Sequence, residues 1–136
     1  MRLDEAVMMS PEECWALLGS ASLGRLALCI AALPAILPVQ YYVDGDAVAM
    51  CLGHYELAPR SIDGTVVAFA ADAIDQSSGA GWSVQVQGRT TVPRAIGVPT
   101  DCGQPAAGQI VHLEPVTITG YRIRLCPFVA RIPDDL

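Results

Sequence analysis

The sequence predicts a small, mainly β barrel of six or seven strands with one or two short helices. It reads as a single domain over residues 1–136, with 1–9 and 127–136 as flexible arms. Three observations carry this. Short apolar runs rich in Val, Ile and Tyr recur along the chain and end in Gly, Pro or Asp-Gly, as strands bounded by turns do. In 82–92, Gln85, Gln87, Arg89 and Thr91 alternate with Val84, Val86 and Gly88, the period of a strand with one polar face. The most apolar stretch, residues 24–45, contains Pro34 and Pro38. Each removes a backbone donor and breaks a helical repeat, so this stretch reads as two adjacent strands.

Taken in order, Ser10-Pro11-Glu12-Glu13 starts a helix: Ser10 caps, Pro11 fits the first turn and Glu13 completes a capping box. Cys14, Leu17 and Leu18 share its apolar face, Trp15 packs beside them, and Gly19 ends it. Strands follow over 25–31 and 36–43, joined through 31–35, and Asp44-Gly45 turns into a strand over 47–52. Residues 53–60 leave the sheet as a loop or helical turn. A strand over 65–71 leads to a polar, flexible loop over 75–81, then to the long strand 82–92, with a bulge or bend at Gly88. Residues 93–109, rich in Pro, Gly and Ala without periodicity, form a long loop of the kind that serves as a lid or partner contact. The last strands are 110–113 and 116–125, split at Glu114-Pro115.

Composition excludes several classes. All eight basic residues are arginine, they form no cluster, and the net charge is −6, which argues against nucleic acid as a partner. The longest uncharged apolar run, 26–39, is too short and too broken by proline to span a bilayer, so no membrane role is expected. The N-terminus carries early acids and no apolar segment of a secretory signal, so a cytoplasmic protein is expected. The cysteines, Cys14, Cys29, Cys51, Cys102 and Cys126, show no C-x-x-C spacing. They read as reduced, mostly core thiols, with Cys29 and Cys51 as packing residues and no metal site. Hydrophobic residues make up 52% of the chain, high enough to suggest apolar surface covered by a partner.

The motifs GRLA at 24–27, PAILPVQYYVDG at 34–45, GWSVQVQG at 81–88 and VTITGYRI at 116–123 resemble, in order, the pyridoxamine 5′-phosphate oxidase-like split β-barrel proteins. The resemblance spans about residues 10–125. It implies a split barrel, a homodimer, and flavin mononucleotide (FMN) held in two clefts along the subunit interface; some relatives bind the deazaflavin F420 or haem instead. The sequence departs from the family where the phosphate is held. Relatives end the third strand with Phe-Arg-Thr and follow it with Gly-Thr-Lys-Leu. Here Met50 and Cys51 stand at the Arg and Thr positions, and His54, Tyr55, Glu56 and Leu57 replace the second motif. A phosphate dianion needs donors and positive charge nearby, and Glu56 opposes it.

The candidate residues follow from both lines. His54, Tyr55 and Glu56 are the candidate catalytic set: His54 or Glu56 as general acid or base, Tyr55 as a hydrogen-bond donor to an oxyanion or enol. Gln40, Tyr42, Met50, Cys51, Arg60, Trp82, Gln87 and Arg89 are the candidate ligand-binding set, Arg60 and Arg89 as replacement cations, with Arg25 as a further candidate cation. Tyr41 and Tyr42 point to opposite faces of their strand, and Gln40 shares the face of Tyr42. His112 reads as a core histidine. The resemblance implies a flavin-type oxidoreductase, and a small hydrophobic organic substrate is expected for its apolar cleft. The missing anchors keep two alternatives open: a cofactor-independent cyclase, isomerase or dehydratase of secondary metabolism in the same cleft, and a non-catalytic ligand or haem binder.

Overall fold

In the computed structural model, residues 2–53, 55, 62–92 and 110–126 are described here, with side chains from Glu5 onward. Ser10 caps α1 (Pro11–Leu18) as its oxygen accepts from the Glu13 N–H at 3.3 Å, and Cys14 and Leu18 are buried. The helix stops at Gly19, whose φ of −69° stays right-handed while its N–H donates to the Trp15 carbonyl at 3.0 Å. Below α1 lies Gly120. A Cβ there would approach the Cys14 sulfur to 2.6 Å, so the bare backbone sets how closely the helix approaches the sheet. The Tyr41 hydroxyl donates to the Leu18 carbonyl at 2.6 Å and satisfies one of the helix's terminal acceptors.

The strands are β1 (Arg2–Met8), β2 (Leu23–Ile30), β3 (Leu33–Asp44), β4 (Ala47–Cys51), β5 (Val66–Ile74), β6 (Ala80–Thr91) and β7 (Ile110–Cys126). They form one antiparallel sheet in the order β1-β7-β4-β3-β2-β5-β6, and β6 pairs back onto β7, closing a six-stranded ring with β1 attached outside it. This is the expected barrel. Its core is Leu18, Leu26, Val39, Tyr41, Val48, Met50, Phe69, Val84, Val86 and Leu113, contributed by alternate positions of the ring strands and by α1. Gly24 is fixed by that core: a Cβ would meet the Phe69 ring at 2.2 Å. No helix among the described residues is long and apolar enough to cross a membrane.

Several expectations need correction. The N-terminal arm expected over 1–9 instead contributes β1, whose Met8 pairs with Tyr121 and whose Ala6 pairs with Ile123. The linker expected over 31–35 shrinks to Ala31-Ala32, both at positive φ (50° and 66°), and β3 begins at Leu33. Pro34 and Pro38 are accommodated because β4 pairs only with Gln40–Asp44, so their missing N–H groups break no second ladder. The next turn centres on Gly45 (φ 63°) and Asp46, between Asp44 and Ala47.

The flexible loop expected over 75–81 is a hairpin turn. Asp75 accepts from the Ser77 N–H and hydroxyl at 2.9 and 2.7 Å, which also lowers the Asp75 pKa. Gly79 (φ 75°) packs where a Cβ would meet the Leu125 carbonyl at 2.0 Å. A bulge is present opposite Gly88, its extra residue being Val116 of β7, and it lets β7 run as one strand and not two. The register shifts between Gln87 and Gly88, opposite Pro115, so the proline falls where the ladder is already broken.

Candidate functional site

The outer face of β3-β2-β5-β6 carries the main concave surface. β2 turns Leu26 and Leu28 inward and leaves Arg25, Ala27 and Cys29 outside. β5 turns Val67, Phe69 and Ala71 inward and leaves Val66, Ala68 and Ala70 outside. Small outer residues on two neighbouring strands leave a furrow. Its wider end is a groove of about 700 Å³ with Ala27 and Ala68 along it, Ile36, Val66 and Val116 at its edges, and Gln87, Arg89 and Thr117 as its polar side. A narrower part, about 130 Å³, continues past Ala70 and Gln85 to Arg25. Ile36, Val66 and Val116 are 64–77% exposed, an unusual price for side chains that would otherwise be buried.

The polar side comes from β6 and β7. Gln87 accepts from the Thr117 hydroxyl at 3.0 Å. Arg89 donates to the Gly64 carbonyl at 3.1 Å. Arg25, by contrast, is paired with Asp72, Arg122 with Glu13 at 3.0 Å, and Arg124 with Glu5 at 4.0 Å. Arg89 is thus the arginine without a carboxylate partner among the described side chains. No carboxylate is among the described residues that line the groove.

The structure brings together Gln87 and Arg89 of the expected ligand set, but separates others from them. Met50 and Trp82 lie on the inward parity of β4 and β6 and are buried in the core, away from the groove, because alternation fixes their face. Gln40 and Tyr42 lie on the outer parity of β3, beyond the groove and opposite Cys51 and Ala49; Tyr41 is the buried one, its phenol pushed up to about 12 by desolvation. Cys51 is buried and disulfide-bonded, so the expectation of reduced thiols fails there, while Cys14 and Cys29 are free thiols. Cys29, expected to pack, is exposed at the groove. Burial and the neighbouring Glu13 raise the Cys14 thiol pKa, which keeps it in the inert thiol form.

Of the catalytic set, Tyr55 is half-buried against the core, and its hydroxyl donates to the Pro38 carbonyl. His54, Glu56, Arg60 and the 93–109 loop lie outside the described residues, as does the tail over 127–136. His112 is partly buried beside Asp44, with its Nε2 3.3 Å from the carboxylate. No group of three metal-ligating side chains occurs among the described residues.

Sequence reading missed Ala27, Ala68, Val66 and Thr117. Alanine carries no chemical signal, and the groove exists only because residues 41 apart meet in register, Ala27 against Ala68. The alternation in β6 was the signal that found Gln87 and Arg89.

With this geometry in view, the comparisons with known proteins are specific. The family model of pyridoxamine 5′-phosphate oxidase matches residues 10–96. The uncharacterized protein Rv0080 of Mycobacterium tuberculosis is 35% identical over 131 residues, covering 88% of this chain and 86% of that protein. Among solved structures, the FAD binding protein from Mycobacterium smegmatis superposes with a TM-score of 0.69 at 29% identity, covering 88% of this chain and all of that one. A FAD-binding protein from Mesorhizobium loti superposes at 0.67 with 17% identity, covering 89% and 98%, a likeness of fold. The chain belongs to the pyridoxamine 5′-phosphate oxidase-like family of split β-barrels.

Proposed function

We propose that this protein binds a flavin in the outer-face groove and acts as a homodimer, the second copy covering the apolar edges and roofing the cleft. The observation that carries the reading is the groove itself: an apolar slot of about 700 Å³, with amide and guanidinium donors along one side and no carboxylate among the described lining residues. A flat, apolar ring system with a polar edge suits such a slot. The 29% identical relative named for FAD favours FAD beside the FMN that the sequence implies. Gln87 and Arg89 would hold the polar edge, and Ala27 and Ala68 would admit the ring. A bound flavin supplies electron or hydride transfer, which makes an oxidoreductase the chemistry of this reading. The chain's own share is to place the ring, exclude water from the slot and present donors to it.

The exposed Ile36, Val66 and Val116 support the dimer, because an isologous contact through this face would bury them. The test is titration of the purified protein with FAD and with FMN, read by absorbance, together with its native mass. A spectral shift at stoichiometric flavin on a dimer is the expected result. An unperturbed flavin spectrum with both cofactors would sink the flavin assignment, and a monomeric mass would sink the dimer.

A second reading has one observation in its favour. Met50 and Cys51, at the positions where relatives carry phosphate-holding residues, are buried. A cofactor-independent enzyme of the cyclase or isomerase type would use the same cleft, with His54 and Glu56 moving protons. It predicts that turnover of the substrate is unaffected by flavin and lost in Glu56→Gln.

A further inference from the structure

We propose that Arg89 and Gln87 form an oxyanion-recognition end to the groove, so that its ligand is a planar aromatic compound carrying a carboxylate, sulfonate or phosphate. The inference rests on the reading of this face as a ligand cleft, and it adds the charge of what enters.

Three observations converge on it. First, Arg89 is in no ion pair among the described residues, although Glu114 stands opposite it on β7, while Arg25, Arg122 and Arg124 are each matched to an acid. With one donor given to the Gly64 carbonyl, the Arg89 guanidinium retains others for an incoming group beside the apolar slot. Second, Gln87 lies two residues away on the same face of β6, and its carbonyl oxygen is occupied by the Thr117 hydroxyl. The remaining capacity of that amide is its NH2 group, a second donor. Third, no Asp or Glu is among the described residues that line the groove, and Ala27, Ala68 and Val66 offer only apolar surface. Two adjacent donors, one cationic, against an apolar slot select an oxyanion fused to a flat hydrophobic body. A neutral ligand would leave the guanidinium partly desolvated without a partner.

The oxyanion has two possible sources, the phosphate of a flavin or the acid group of a second ligand. Two matched pairs of probes distinguish them. Riboflavin and FMN differ by the phosphate. N-phenyl-1-naphthylamine and 1-anilinonaphthalene-8-sulfonate differ by the sulfonate. Dissociation constants are measured by fluorescence for the wild type, Arg89→Gln, Arg89→Lys and Gln87→Leu, with melting temperatures as the folding control. The anionic member of at least one pair is expected to bind about tenfold tighter in the wild type, with that preference lost in Arg89→Gln, reduced in Gln87→Leu and partly kept in Arg89→Lys. Neutral members are expected to weaken by a smaller factor than their anionic partners in each variant.

Loss confined to the riboflavin/FMN pair assigns the site to the flavin phosphate; loss confined to the naphthyl pair assigns it to a second ligand. Discrimination that is absent in the wild type, or equal in wild type and Arg89→Gln for both pairs, overturns the proposal. The naphthyl pair reads this end of the groove even where no flavin binds, so failure of the flavin reading and failure of the anion end give different results.

Discussion

The inner and outer faces of β2, β5 and β6 are built on opposite plans. Inside, Leu26, Phe69, Val84 and Val86 fill space to the exclusion of solvent. Outside, at the neighbouring positions, Ala27, Ala68 and Ala70 leave space, while Gln85, Gln87 and Arg89 place polar groups beside it. One strand thus fills the core with one parity and borders the groove with the other. The inner face tolerates no loss of volume. The outer face tolerates no gain.

Substitutions on each parity separate the two plans. Phe69→Ala empties the inner face behind Gly24 and is expected to cost about 3–5 kcal/mol, read by chemical denaturation. A loss under 1 kcal/mol would show that Phe69 does not hold the core. Ala68→Trp should do the reverse: it fills the groove and abolishes ligand binding while the unfolding free energy moves by about 1 kcal/mol or less, because Ala68 faces outward. A large stability loss there would break the division of labour between faces.

The pH response probes the inner face alone. The Tyr41 phenol is raised from the usual 10 to about 12 by burial, so the folded state holds its proton more tightly than the unfolded chain does. The stability this contributes is complete below pH 10 and is lost as pH rises toward 12, a fall of about 2 kcal/mol. Denaturation at a series of alkaline pH values should show this slope in the wild type and a shallower one in Tyr41→Phe. The smallest effect belongs to the outer face. Arg25→Ala breaks an exposed pair with Asp72 and should change the melting free energy by less than about 1 kcal/mol.

The same division explains what the sequence made legible. Local signals were read correctly: the Ser10 cap, the alternation in β6 and the irregularity at Gly88 each sit within a few residues of their cause. What escaped reading depended on distant partners. β1 has no strong apolar alternation and becomes a strand because β7, more than a hundred residues on, offers an edge. The Ala31-Ala32 turn carries no glycine or asparagine to announce it. β7 runs through Pro115 because the bulge at Val116, opposite Gly88, absorbs the break. The groove escaped for the same reason, since small residues on β2 and β5 become a site only in register. Gln87 and Arg89 were legible because polarity within an alternating strand is itself local.

β7 pairs with β1, β4 and β6, and through β4 and β6 it joins both ends of the ring. Its partners begin at the second residue and extend to Thr91, so almost every contact it makes spans a long stretch of chain. Up to that point in synthesis, the emerging polypeptide holds an open sheet with two unpaired borders at β4 and β6. Closure therefore waits for the last described strand, and topology of this kind favours slow, late cooperative folding. During that interval the borders are exposed to other chains. Arrested nascent chains ending before residue 110 should accordingly be protease-sensitive and chaperone-bound, and chains extended well past 126 should not.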